Sequence, residues 1–141
     1  MMAYQCRGSS ETNELLDKWV VEEPHLKYKS EMIVGNYHKL WGKEASIFDQ
    51  YIARVSSVFL ETFLFYSGFY YPLYLAGQGK MTTSGEIIRK ILLDESIHGV
   101  FTGLDAQSLR NELSESEKQR ADQEMYKLLK ELYDNEVSYT H

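Results

Sequence analysis

The chain has 141 residues, a length that suits one domain around a single modest core. A formal net charge of −6, with Lys and Arg scattered, argues against a nucleic-acid or anionic-membrane surface. The one cysteine, Cys6, excludes an internal disulfide, and residues 1–10 hold no apolar run of signal-peptide length, so a cytoplasmic protein is expected.

Helix formers dominate, only two prolines occur, and no alternating run is bounded by hairpin turns. About five helices are expected. The first runs from Asn13 to Glu23, with Thr12 as N-cap and Leu15, Leu16, Trp19 and Val20 on one face. Pro24 stops it or opens the next. The second runs from His25 to Leu40, with Tyr28, Met32, Ile33 and Tyr37 at helical spacing, and Gly42 ends it. The third runs from Glu44 to Tyr71, where Pro72 should kink or end it. Its stretch Val55 to Ala76 is the most apolar in the chain, but Glu61 and Pro72 interrupt it, so it reads as a buried bundle helix and no membrane span. Residues 76–79 form a turn. The fourth runs from Thr83 to Asn111, with Thr83 and Glu86 as a capping box. The fifth runs from Ser114 to Ser138, with a box partner in Glu117 and an apolar stripe of Met125, Leu128, Leu129, Leu132 and Tyr133. Short joints make consecutive helices antiparallel, which gives an all-α bundle.

Two features are unusual for a plain bundle. Glu61 lies between Phe59-Leu60 and Phe63-Leu64-Phe65, where an unpartnered carboxylate is costly to desolvate. Glu95 and His98 lie three apart between Ile91-Leu92-Leu93 and Val100-Phe101, so they share a helix face. Glu-x-x-His on one helix with a lone Glu on a neighbour is half of the ligand pattern of ferritin-like dimetal proteins. By itself Glu-x-x-His is more often a solvated surface pair, and a lone buried Glu is often an ion-paired structural residue. The combination in apolar segments balances the two readings.

Longer motifs carry a family likeness. The run Phe59-Leu60-Glu61-Thr62-Phe63-Leu64-Phe65-Tyr66-Ser67-Gly68-Phe69-Tyr70-Tyr71-Pro72-Leu73-Tyr74 resembles the signature helix of the class Ib ribonucleotide reductase small subunit. Ser84-Gly85-Glu86-Ile87-Ile88 and Asp94-Glu95-Ser96-Ile97-His98-Gly99 resemble its next helix, and Leu132-Tyr133-Asp134-Asn135-Glu136 with Tyr139-Thr140 extends the match. The likeness covers residues 11–140, so residues 11–141 read as a partial ferritin-like dimetal domain and residues 1–10 as a divergent segment.

The resemblance implies a role for each matching position. Glu61, Glu95 and His98 match three of six ligands to a dimanganese or di-iron centre, with their tips expected to converge. Phe65, Phe69 and Ile91 match the apolar wall around a tyrosyl radical, although packing alone explains their spacing. Asp94 matches the carboxylate that hydrogen-bonds a radical-path tryptophan, or is a plain surface residue. Thr62 and Tyr66 match the lining of the channel from a flavodoxin-like activator. The family usually has Ser at position 62, so the extra methyl of Thr62 bears on channel width. His25 and His38 match no ligand and read as surface or partly packed. The other three ligands, the radical tyrosine and the path tryptophan match nothing here. The implied partners are the reductase large subunit, a chain bearing the missing N-terminal half, and a second small subunit in a homodimer.

On this reading the chain is part of the subunit that serves the reduction of ribonucleoside diphosphates, and it is inactive alone. A split or intron-interrupted gene, a degenerate copy or a deliberate shortening would each produce it. The alternative is a non-catalytic helical remnant that acts only as a partner-binding fragment. A ferritin-like oxidase or iron store would need a second Glu-x-x-His helix, which the sequence does not offer. An apolar face bearing Glu61, Phe65 and Phe69 is expected to lie open in a monomer.

Overall fold

The computed structural model describes residues 13–14, 17–18, 20–41 and 44–140. Cys6, the Thr12 cap, Leu15, Leu16, Trp19 and Gly42 lie outside them. After a helical turn at Val20–Glu22, α1 spans Pro24–His38, α2 Ile47–Phe59, a π-helical segment Leu60–Leu64, α3 Phe65–Gly77, α4 Thr82–Glu112 and α5 Glu115–Thr140. No strand occurs among the described residues.

Local chemistry sets most of these ends. Pro24 opens α1 at a position where its missing N–H costs nothing, and Glu23 caps it by accepting the Leu26 N–H at 2.6 Å. Ser46 caps α2 by accepting the Asp49 N–H at 3.0 Å. The box at Ser114 forms as expected: Ser114 N–H donates to Glu117 Oε2 at 3.0 Å, and Glu117 N–H donates to Ser114 Oγ at 3.4 Å.

Two expectations are corrected and one is narrowed. The Thr83–Glu86 box is not what starts α4. That helix begins at Thr82 behind Met81, which adopts left-handed backbone (φ 52) and gives no side-chain cap. Of the two outcomes expected at Pro72, a kink or an end, the end is excluded: the long apolar helix continues to Gly77. The carbonyl that the Pro72 ring crowds belongs to Gly68, four residues back. Beyond Pro72, α3 stays packed on α4, with Ala76 against Gly85. Nor is that helix uniformly α: Phe65 N–H reaches back to Leu60 O, a five-residue step.

The long rod α2–π–α3 turns at residues 78–81 and packs antiparallel along α4. The facing pairs Ala76–Gly85, Thr62–Gly99, Val58–Gly103 and Arg54–Asp105 run in opposite directions along the two arms. Helices α1 and α5 lie against α2. The core joins Ile33 of α1, Tyr51, Ile52 and Val55 of α2, Leu64, Ala106 of α4, and Ala121, Leu128 and Leu132 of α5. Leu129 and Tyr133 of the expected α5 stripe are exposed, and Ala121 takes a core place instead. A buried polar link, Asn36 Nδ2 donating to Ser56 Oγ at 2.8 Å, joins α1 to α2.

A candidate metal half-site and its apolar surroundings

Glu61 sits on the π-helical segment, and Glu95 and His98 sit one turn apart on α4. The antiparallel hairpin sets these two places opposite each other, since Thr62 and Gly99, the next residues along, are in contact. His98 Nδ1 lies 3.5 Å from Glu95 Oε2, with the His98 side chain 61% exposed and that of Glu95 19%. Glu61 Oε2 is buried and has no hydrogen-bond partner among the described residues. A buried acceptor left in this way calls for a donor or a cation.

Electrostatics link the three groups. Burial pushes the Glu61 carboxyl above its ordinary range, the negative charge of Glu95 adds to the rise, and His98 opposes it. The expected convergence is nonetheless incomplete: among the described residues no three His, Cys, Asp or Glu side chains are grouped so as to hold a metal ion. The two carboxylates repel, and the imidazole turns to Glu95 on its own helix. The donor set still suits manganese or iron, with carboxylate oxygens and one imidazole. The orphaned oxygen of Glu61 marks where a cation would meet its side of the site.

The other matched residues fall into two hollows. Phe65, Phe69 and Ile91 line one apolar cavity of about 600 Å³, whose floor includes Ile33, Leu64 and Ile88. The rings of Phe65 and Phe69 pack at 5.7 Å between centroids. Of the face expected to lie open, Glu61, Phe65 and Phe69 are each half-buried, and the two phenylalanines line this apolar cavity. The exposed apolar stripe lies elsewhere on α4, at Leu93, Ile97, Val100, Phe101 and Leu104. Thr62 and Tyr66 line a second hollow of about 370 Å³ that runs toward Tyr133 and Val137 of α5. Asp94 is exposed on α4. His25 is partly packed, with Nδ1 3.1 Å from Asn135 Oδ1, and the His38 ring lies tilted against Trp41 with centroids 4.6 Å apart.

Sequence reasoning missed two features here. The π turn that carries Glu61 has no compositional signal. Gly99 was visible as the small residue after His98, but only the hairpin shows that it faces Thr62.

Comparison with known proteins agrees with the geometry. The family model described as "Ribonucleotide reductase, small chain" matches residues 2–141. Ribonucleoside-diphosphate reductase subunit beta of Bacillus subtilis is 48% identical over 132 residues, which cover 93% of this chain and 39% of that protein. Its counterpart from Bacillus phage SPbeta is 44% identical over 133 residues, with 94% and 39% covered. The crystal structure of dimanganese(II)-NrdF from Streptococcus sanguinis superposes with a TM-score of 0.79 at 40% identity, covering 95% of this chain and 44% of that one. The chain thus spans about two-fifths of the length of the curated relatives it matches. No helix among the described residues is long and apolar enough to cross a membrane. With a matching family model over nearly its whole length and relatives named NrdF, the chain belongs to the ribonucleotide reductase small-chain family, in its class Ib branch.

Proposed function

We propose that this chain supplies one half of the dimetal centre of a class Ib small subunit, with Glu61, Glu95 and His98 as its metal ligands. The observation that carries the reading is the buried, unpartnered Glu61 Oε2 within the field of Glu95 and His98. Bound manganese or iron would supply the oxidising power from which the family's tyrosyl radical is made. The chain's own residues would hold and shield. Glu61 and Glu95 contribute negative charge, and His98 contributes a neutral nitrogen. Phe65, Phe69 and Ile91, which line the apolar cavity, would form part of the wall that shields the radical. Thr62 and Tyr66 line the hollow through which an oxidant from a flavodoxin-like activator would arrive. Asp94, exposed on α4, would accept a hydrogen bond from the family's radical-path tryptophan.

Half a ligand set does not complete the centre. Reduction of ribonucleoside diphosphates would therefore need the large subunit, the remaining ligands and the radical tyrosine, in the homodimer usual for the family. The compartment proposed is the cytoplasm. Titration of the 141-residue chain with Mn²⁺ or Fe²⁺ tests the ligands: weak saturable binding is expected, lost in Glu61→Gln and His98→Ala. Co-expression with the N-terminal half of a related subunit should give tighter metal uptake and a radical signal. The second reading, a non-catalytic remnant that only binds a partner, is favoured by the exposed His98 and the incomplete grouping of the three ligands. Absence of metal binding in both experiments would select it.

A further inference from the structure

We propose that Gly99 is a positioning residue for the half-site: a notch that seats the Thr62 methyl group and so fixes how closely the Glu61 turn approaches the Glu95–His98 turn. The inference rests on the metal reading above and adds a residue to it.

Thr62 directly follows Glu61, and Gly99 directly follows His98. A side chain begun at Gly99 would collide with Thr62 Cγ2; the only other atom within 4 Å is Thr62 Cβ, at 3.8 Å. The space that any larger residue at 99 needs is therefore filled by one methyl group. That methyl is held in place. The Thr62 hydroxyl donates to the Val58 carbonyl one turn back at 2.6 Å, which fixes the rotamer and aims Cγ2 across the hairpin. Thr is β-branched, so turning the methyl aside means giving up that hydrogen bond. Farther along, Gly103 meets Val58 only at 3.9 Å, an ordinary contact. Gly85, nearer the hairpin turn, meets Ala76 Cβ as closely, so the two arms have two tight seats, and the one at Gly99 is the one beside the ligands.

A Cβ at position 99 must therefore displace the methyl at the cost of the Thr62–Val58 hydrogen bond, push the π segment away from α4, or rotate it. Either movement of the segment takes the Glu61 carboxylate out of register with Glu95 and His98. Serine at 62 keeps the hydroxyl and its bond but removes the methyl, so it should accept either glycine or alanine opposite.

The experiment compares the wild-type chain with Gly99→Ala, Thr62→Ser and the double variant. Mn²⁺ binding is read from the free-ion EPR signal, and folding from thermal melts followed by circular dichroism. Gly99→Ala should weaken Mn²⁺ binding about tenfold, as loss of an orienting contact around a metal does, and lower Tm. Thr62→Ser should lower Tm slightly through the lost methyl contact, and the double variant should regain both Tm and binding relative to Gly99→Ala. If Gly99→Ala alone fails to fold, recovery of folding and binding together in the double variant carries the same inference. Unchanged Mn²⁺ binding in Gly99→Ala, or a double variant that folds but does not bind, overturns it. If the wild-type chain binds no Mn²⁺, the metal reading fails and the positioning role with it. Non-additive melting temperatures would then still report the methyl contact as packing alone.

Discussion

The Lys29 ammonium lies 2.8 Å from Glu136 Oε1, and the two side chains are only 15% and 9% exposed. Ser67 Oγ accepts a second bond from Lys29 at 3.3 Å, and the Tyr139 ring lies 5.2 Å from the ammonium. One ion pair thus ties α1 to α5 and touches α3. Glu136→Leu leaves the ammonium buried without its counter-charge and should cost ~3 kcal/mol in urea denaturation. Lys29→Met should cost a similar amount. The double variant should recover most of the loss, because a buried pair exchanged for apolar residues is close to neutral.

Glu61 should show the opposite pH behaviour to a salt-bridged carboxylate. Its folded pKa is raised, so between the ordinary carboxylate range and the raised value the native state binds more protons than the unfolded one. Stability from this group is present at low pH and is lost as pH rises through the folded pKa. Glu61→Gln should therefore be the more stable chain at neutral pH. The difference should vanish at acid pH. Melts of both chains across the carboxylate range check it, and a wild-type chain that is the more stable at pH 7 contradicts it.

The joint between α4 and α5 should weaken in acid. Arg110 grips Asp122 with two bonds of 2.8 and 2.7 Å, and this hydrogen bonding holds the Asp122 carboxyl below its usual range. Hydrogen bonds from the Ser114 hydroxyl and backbone do the same for Glu117. Both contributions are present above the ordinary carboxylate range and are lost as pH falls through the lowered values. Hydrogen exchange should show α5 opening first as the solution is acidified. At neutral pH, Ser114→Ala should cost ~1 kcal/mol through the lost cap.

Along α4 the exposed residues Leu93, Ile97, Val100, Phe101 and Leu104 make one apolar stripe, with Phe101 73% exposed. A stripe of this length invites association. Sedimentation of the isolated chain should show a mass above that of the monomer, rising with concentration. Ile97→Lys with Phe101→Lys should lower that mass while leaving helical circular dichroism unchanged. A wild-type chain that stays monomeric at all concentrations would rule this out.

The helices were legible because α-helical periodicity and capping chemistry are local. Pro24, Ser114 and Glu117 mark ends that hydrogen bonding within one turn decides, and the structure keeps them. Met81 and Pro72 show the limit. A left-handed residue starts α4, and a proline rides inside α3, because contacts far along the chain hold those helices in place. The candidate site divides in the same way. Glu61, Glu95 and His98 stood out as charged groups in apolar sequence. The pairing of Thr62 with Gly99 did not, since it depends on the register between two arms of a hairpin. Phe65 and Phe69 were picked out by likeness and by spacing on an assumed α-helix, but the turn before them has a different pitch.

That wide turn at Leu60–Leu64 is in effect an α-helix with one residue too many. Removing a single residue from it would hardly change composition or hydropathy. It would nevertheless swing everything from Phe65 onward by about 100° relative to α2, the angle one residue subtends in an α-helix. The two phenylalanines would leave their cavity while Glu61 kept its place against α4. Ligand side and shielding side are thus separately adjustable along one rod, and a one-codon deletion is the dial between them.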